Sequence, residues 1–169
     1  MQQYYFDTWV EDGSAKVGYH ATDRFEATKL KKKKGSDFKV GDAVTQTVEG
    51  PVTRTQIVKY AGASYDYNPI HHDEEFAKRS RSGGIIAHGM MVMGYVGKCA
   101  VAFFGTPDLD KIQMRSVQVT RPGDVVTIGG KVEKVERTDR GTQVTLSMTA
   151  TNQTGEPVGI GMAVATIKD

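Results

Sequence analysis

The feature that most constrains the fold of this 169-residue chain is a stretch from Gly89 to Phe104 that is apolar on nearly every side. A helix formed here would have almost no polar face to turn to water, so it has to be buried by the rest of the chain. Gly105 and Pro107 follow it as stop signals. We therefore predict a buried central helix over residues 89–104.

The last third of the chain predicts antiparallel strands that can cover this helix. Turn-forming sequences at Thr138–Gly141 and Asn152–Gly155 divide the region into hairpins. One face of the final strands is expected to be apolar and to line the helix. The predicted strands cover residues 111–119, 125–136, 143–151 and 157–167, and the predicted inner face includes Val144, Leu146, Met148, Val158, Ile160 and Val164.

The predicted fold class is therefore α+β, with one antiparallel sheet wrapped around one long helix. Upstream, Val44–Val48 alternates like a strand, and Thr53 with Gln56 has the form of a capping box that opens a helix over residues 54–63. A short helix is expected around residues 73–78. Such a sheet can leave an edge strand free, and the pairing of two subunits would cover it.

Composition excludes several classes of function. The net charge of +2 is too weak to argue for nucleic acid. No apolar run approaches the roughly 18 residues that cross a membrane. The N-terminus has neither the basic region nor the apolar core of a secretory signal, so we expect a cytoplasmic protein. The single cysteine, Cys99, excludes an intrachain disulfide and is expected to be a small buried residue.

Residues 1–36 are predicted to form an N-terminal arm, and residues 37–169 a single domain. The arm is rich in aromatic residues but alternates poorly, which predicts one or two short strands or an irregular segment. Its aromatic side chains are expected to pack on the main domain or on a second subunit. We interpret the run Lys31–Lys34 as a solvated linker; the functional alternative is a site for an anionic partner.

The residues that could carry chemistry are concentrated between Tyr60 and Gly94. Asp66 and His71 lie on either side of an Asn68-Pro69 break, and across such a turn their side chains can converge on one point. A carboxylate and an imidazole that share one water or hydroxyl form a general acid/base pair.

A second set of groups lies where the central helix begins, at His88 and Gly89. The first N–H groups of a helix have no internal partner, and the helix dipole favours negative charge there. An oxyanion forming near Gly89 would therefore be stabilised. An acid/base pair beside such a helix end suits addition or elimination next to a carbonyl group, through an enolate.

Other interpretations of the same residues remain open. Asp66 could cap the turn, His71 could be structural, and His88 could be a hydrogen-bonding residue at the helix start. The run His71–Glu75 could bind a metal, but adjacent residues rarely aim at one ion and no spaced partner is present. We therefore predict no metal and no cofactor.

The D-x-N-P-x-H sequence from Asp66 to His71, followed by Ala-His-Gly-Met at residues 87–90, resembles the MaoC-like family of (R)-specific enoyl-CoA hydratases and 3-hydroxyacyl dehydratases. The resemblance covers roughly residues 38–167. It implies a hot-dog fold, dimers with sites at or near the subunit interface, and hydro-lyase activity. The implied substrate is an acyl-CoA or acyl-carrier-protein thioester.

The resemblance also implies roles for individual residues. Asp66 and His71 become the catalytic dyad, the Gly89 N–H donates to the thioester carbonyl, and Asn68 stabilises the catalytic loop. The residues expected to contact substrate are Asn68, His88, Met90 and Tyr65.

Two positions depart from the family pattern. Tyr65 stands where the family usually has glycine, and Gly97 stands where some members have a serine that contacts the catalytic carboxylate. The resemblance as a whole implies reversible hydration of trans-2-enoyl thioesters to (R)-3-hydroxyacyl thioesters. The alternatives are the catalytic subunit of an acyl-carrier-protein dehydratase and a hot-dog domain that binds thioesters without catalysis.

Overall fold

The computed structural model describes residues 5–11, 14–20, 31–106 and 109–168, and the chain divides into two compact units, Met1–Leu30 and Lys31–Asp169. The first unit contains an antiparallel hairpin of β1 (Tyr5–Glu11) and β2 (Ser14–His20). The expected packing of the arm's aromatic side chains lies outside the described residues. The predicted domain boundary after residue 36 stays a prediction.

The second unit contains five strands and three α-helices in its described residues. They are β3 (Ala43–Glu49), α1 (Arg54–Ser64), α2 (Glu74–Arg79), α3 (Gly89–Phe104), β4 (Lys111–Ser116), β5 (Val126–Thr138), β6 (Gly141–Thr151) and β7 (Pro157–Ile167). Short 3-10 turns occur at Gly35–Asp37 and Pro69–His71.

All five strands form one antiparallel sheet in the order β3-β5-β6-β7-β4, and α3 packs against each of them. The predicted α+β hot-dog architecture is confirmed. The order leaves β3 and β4 as the two edge strands of this sheet.

Helix α3 begins and ends at the predicted residues. Its last turn closes on Gly105, whose φ of 73° is left-handed, and the Gly105 N–H donates to the carbonyl of Val101. Its buried side chains are Met91, Val92, Val96, Cys99, Ala100 and Phe104. Among the described helices, none has both the length and the apolar character needed to cross a membrane.

The inner face of the sheet differs from the prediction in β7. The predicted residues of β6 are buried, and so are Val158 and Val164 of β7, but Ile160 is exposed. Cross-strand partners share a face, and Leu146 pairs with Ala163 while Met148 pairs with Gly161. Strand β7 therefore presents small residues on the face that it shares with Leu146 and Met148, which leaves room for the bulk of α3.

Helix α1 begins with the predicted capping box. The Gln56 N–H donates to Thr53 Oγ1 at 3.1 Å, and the Thr53 N–H donates to Gln56 Oε1 at 2.7 Å. The helix ends at Tyr65, whose left-handed backbone turns the chain toward Asp66. The position of the acidic residue is thus fixed by a helix that the sequence defines at both ends.

Candidate active site

The segment after α1 is a turn held by its own side chains. Tyr65 has φ 59° and ψ 20°, which sends the chain back across the end of the helix. The Asn68 N–H donates to Asp66 Oδ1 at 3.3 Å, and the Ile70 N–H donates to Asn68 Oδ1 at 3.2 Å. Asn68 therefore caps the 3-10 turn that carries His71. One carboxylate oxygen of Asp66 is engaged in the turn, and the other faces His71.

The orientation of the His71 ring is set by the backbone. His71 Nδ1 lies 2.8 Å from the carbonyl oxygen of Ile86, and because a carbonyl can only accept, Nδ1 carries the proton. The other nitrogen, Nε2, faces Asp66 Oδ2 at 3.8 Å. This separation is too long for a direct hydrogen bond, but one water or hydroxyl can lie within reach of both groups. The two residues are therefore brought together as predicted.

The two members of this pair differ in exposure. The side chain of Asp66 is 52% exposed, whereas that of His71 is 7% exposed. His71 is thus anchored in the protein interior, and Asp66 approaches from the solvent side. A substrate entering between them would meet the carboxylate first.

His88 contacts both members of the pair. Its Nε2 donates to the backbone carbonyl of Asp66 at 3.1 Å, and its ring stacks on that of His71 with centroids 3.7 Å apart. Tyr60 packs on it as well, at 4.9 Å between ring centroids. His88 is buried, and within the described residues its Nδ1 has no hydrogen-bond partner.

Burial lowers the pKa of His88 below its ordinary value, and the neighbouring His71 acts in the same direction. The hydrogen bond to the Asp66 carbonyl opposes this shift but does not reverse it. His88 is therefore a neutral ring at physiological pH. Its contacts support a structural role, which was one of the alternatives left open by the sequence.

Asp66, His71 and His88 also form a group whose potential metal-ligand atoms lie within 4.8 Å of one another. Two imidazoles bind one ion well when the ion lies near the plane of each ring. The His71 and His88 rings are stacked with an interplanar angle of 24°, so their planes do not meet within a bond length of the ring nitrogens. The arrangement does not suit shared coordination of one metal ion.

The start of α3 leaves backbone donors free. His88 occupies the N-cap position without a side-chain cap, and the Met91 N–H bends back to the His88 carbonyl. The N–H groups of Gly89 and Met90 have no acceptor among the described residues. Both residues are exposed, with Met90 at 58%. An anion at this point would meet unpaired donors and the positive end of the helix dipole.

Ser116 is a residue of this region that sequence reasoning missed. It ends β4, and a Cβ atom built on Gly89 would lie 2.8 Å from its Oγ. No motif includes Ser116, because only the folded sheet brings it to the start of α3. Gly97, the second position that departs from the pattern of the resembled family, lies against β4, where an added Cβ would be 3.3 Å from Ile112 Cδ1.

The lysine run lies at the opposite end of α3 from the acid/base pair. The carbonyl of Lys31 approaches Gly105, and the Lys33 ammonium lies 4.2 Å from the ring centroid of Phe103 and 5.2 Å from that of Phe38. Burial lowers the pKa of Lys33. The solvated-linker interpretation is therefore wrong for Lys33, which packs on the domain.

The comparisons with known proteins bear on the family and the fold of the chain. The family model described as MaoC like domain matches residues 36–154. A 3-hydroxybutyryl-CoA dehydratase from Methylorubrum extorquens is 35% identical over 60 residues, which are 36% of this chain and 37% of that protein. The match therefore spans just over a third of that relative.

Two solved structures are similar over nearly their whole length. A MaoC-like dehydratase from Rhodospirillum rubrum has a TM-score of 0.67 and 26% identity, over 79% of this chain and 97% of that one. The (R)-hydratase from A. caviae has a TM-score of 0.69 and 21% identity, over 77% of this chain and 97% of that one. At 21% identity, the similarity to the A. caviae structure is evidence for the fold alone.

The chain is therefore a hot-dog protein in which a carboxylate and an imidazole lie near the start of the central helix. Since the family model covers more than half of the sequence, the chain belongs to the MaoC-like dehydratase family.

Proposed function

We propose that this protein is a hydro-lyase that reversibly adds water to trans-2-enoyl thioesters and gives (R)-3-hydroxyacyl thioesters. The observation that carries the proposal is the approach of Asp66 Oδ2 to His71 Nε2, at 3.8 Å, beside the unpaired N–H of Gly89. Family membership and the 3-hydroxybutyryl-CoA dehydratase relative support this reaction class. The R configuration rests on the family resemblance.

In the hydration direction, Asp66 takes a proton from a water held between it and His71 while the oxygen of that water bonds to C3 of the enoyl group. The electron pair of the double bond moves to the thioester oxygen as an enolate. His71, protonated at Nε2, then gives a proton to C2 and collapses the enolate. After the product leaves, a water that bridges the 3.8 Å gap carries the proton on Asp66 back to His71 and restores the starting state.

The enolate oxygen is stabilised by the start of α3. Gly89 donates its N–H to that oxygen, and the helix dipole adds a favourable field. Asn68 keeps the loop closed by capping the 3-10 turn. Tyr65, beside Asp66, and Met90, beside Gly89, are 84% and 58% exposed and available to contact the acyl or pantetheine part of a substrate.

The protein is also proposed to act as a homodimer on acyl-CoA or acyl-carrier-protein thioesters. The free edge strands β3 and β4 and the exposed apolar side chains of Val117 and Val119 support pairing with a second subunit. A single sedimentation experiment on the purified protein measures this. A mass of one chain at micromolar concentration would contradict the dimer.

The reaction is tested by following the loss of enoyl absorbance with crotonyl-CoA and with longer enoyl thioesters on CoA and on carrier protein. Asp66→Asn and His71→Ala are expected to lower kcat by at least about 10²-fold, because each removes an acid/base group. His72→Ala is the matched control, since His72 is exposed and points to the carbonyl of Tyr67. Full activity in both dyad variants would overturn the mechanism.

A further inference from the structure

Ser116 lies against the one residue that the proposed reaction uses as a backbone donor. A Cβ atom on Gly89 would be 2.8 Å from Ser116 Oγ and 4.0 Å from Ser116 Cβ. The clash is therefore with the hydroxyl alone. The absence of a side chain at Gly89 makes room for a serine hydroxyl, in addition to any ligand.

This contact places the hydroxyl beside the first residue of α3. The Cα–Cβ bond of a helical residue tilts toward the N-terminus of its helix. A hydroxyl in contact with the Cβ position of Gly89 therefore lies near the start of α3. The N–H groups of Gly89 and Met90, which are free among the described residues, belong to the same end of the helix.

The position of Ser116 is fixed from both sides. It pairs with Gly159 in the ladder between β4 and β7, and the next N–H, of Val117, donates to Val158 at 2.9 Å. Four residues after Ser116, the carbonyl of Thr120 accepts from the N–H of Ala87 at 2.7 Å. The strand end is thus tied to the loop that precedes α3, and the hydroxyl is held near the helix start.

The Ser116 hydroxyl is available to a substrate. The residue is exposed, and no hydrogen bond joins its hydroxyl to another group in the described part of the chain. A hydroxyl can rotate its proton to suit the acceptor it meets. A thioester oxygen placed at the N–H of Gly89 would be such an acceptor.

We infer that Ser116 is a further catalytic residue, which donates a second hydrogen bond to the thioester oxygen beside the Gly89 N–H and stabilises the enolate. This inference rests on the proposed function, because it assigns Ser116 to the same reaction. It also gives the small size of Gly89 a role, because a side chain there would compete with the hydroxyl for space. Gly89→Ala would push the hydroxyl away from the oxygen that it serves.

The test compares two variants of nearly equal shape, Ser116→Thr and Ser116→Val, which differ by the hydroxyl. Both residues favour strands, so the end of β4 is retained. Ser116→Val is expected to lower kcat for crotonyl-CoA by about tenfold or more with KM within about twofold, because the lost donor acts on charge that develops in the transition state. Ser116→Thr is expected to keep most of the activity.

A spectroscopic measurement separates a donor from a residue that only packs. The infrared carbonyl band of bound butyryl-CoA, labelled with ¹³C at the thioester carbon, should shift to higher frequency in Ser116→Val and not in Ser116→Thr. Gln113→Ala, an exposed polar position on the same strand, is the control and should leave both kcat and the band unchanged.

A double-mutant cycle adds a second readout. Gly89→Ala and Ser116→Ala should be strongly non-additive in kcat, because the first already displaces the hydroxyl that the second removes. Equal kcat values for Ser116→Val and Ser116→Thr, while Asp66→Asn is inactive, would overturn the role of Ser116 and leave the proposed function standing. Full activity of Asp66→Asn would overturn the proposed function itself.

Discussion

At the scale of single residues, His88 contacts both Asp66 and His71: its neutral ring donates to the Asp66 carbonyl and stacks on the His71 ring. Because its pKa is lowered by burial, the folded chain resists a proton that the unfolded chain accepts below about pH 6.5. Above that pH neither state is protonated at His88, and the residue has no effect on the pH dependence. As the pH falls toward the lowered pKa, the unfolded state gains the proton and the folded state is destabilised.

We therefore expect the free energy of unfolding to be lower at pH 5 than at pH 7.5, and part of this loss to disappear in His88→Phe. The phenyl ring keeps the stack on His71 but cannot be protonated. Urea unfolding at both pH values measures the difference. His72→Phe, an exposed neighbour, should retain the full pH dependence. The same dependence in His88→Phe and wild type would show that another group causes it.

Tyr65 holds a left-handed backbone that glycine adopts at little cost. A non-glycine residue in this conformation costs roughly 1–2 kcal/mol, and glycine loses about 0.5–1 kcal/mol through the freedom of the unfolded chain. Tyr65→Gly is therefore expected to be about 0.5 kcal/mol more stable than wild type. The φ of 59° therefore makes position 65 one where glycine is the less strained residue.

The matched control is Tyr67→Gly. Both rings are exposed and both lose the same edge-to-face contact when removed, but Tyr67 has no positive φ. Tyr67→Gly should therefore lose about 1 kcal/mol in urea unfolding. Equal losses in the two variants would contradict the account of strain at Tyr65.

Some of the site could be predicted from the sequence, and some could not. The convergence of Asp66 and His71 follows from the Asn68-Pro69 turn, which is local in the chain. Ser116 reaches Gly89 through pairing of β4 with β7, which is not local and leaves no motif. The stack of His88 on His71 likewise depends on how the loop before α3 returns to the turn.

At the scale of elements, α1 sets the position of Asp66, and its first turn depends on Thr53. Thr53→Ala removes an N-cap and is expected to cost about 1 kcal/mol of stability. Thr55→Ala, an exposed position in the same turn that is not the cap, should cost less than about 0.5 kcal/mol. Chemical denaturation of both variants measures the difference, and equal losses would mean that the cap does not stabilise the helix.

The most strongly patterned element, α3, was predicted with the correct bounds, whereas β4, β5 and β6 differ from the predicted bounds at one end or both. Helix α3 was identified because nearly all its side chains are apolar and a glycine follows it. The inner face of β7 was not, because the sequence places large residues such as Ile160 outward and small residues such as Gly161 and Ala163 inward. The hydrophobicity of the side chains alone does not show which face of a strand packs against a helix, because close packing can favour small residues.

At the scale of the whole molecule, the division of the chain predicts how it tolerates truncation. The second unit begins at Lys31 and contains the core cluster and the paired Asp66 and His71. A chain that begins at Lys31 is expected to unfold cooperatively with little loss of stability. Circular dichroism during thermal unfolding, with the crotonyl-CoA assay beside it, measures both properties.

A chain that begins at Asp37 is the informative comparison. It lacks Lys33, which packs on two aromatic rings, and the buried Gly35. We expect it to be less stable than the chain that begins at Lys31 by about 1–2 kcal/mol. Equal stability would place the domain boundary after residue 36, where the sequence first put it.

The order of strands in the sheet has a consequence for the order in which parts of the chain fold. Strands β5, β6 and β7 follow one another as hairpins, whereas the edge strands β3 and β4 reach their partners only after long excursions of the chain. Pairings between near neighbours form faster than pairings between distant ones. The dyad and α3 lie in the chain between those two late strands. We therefore expect the proposed site to be completed late in folding, after the hairpins of β5, β6 and β7 have formed.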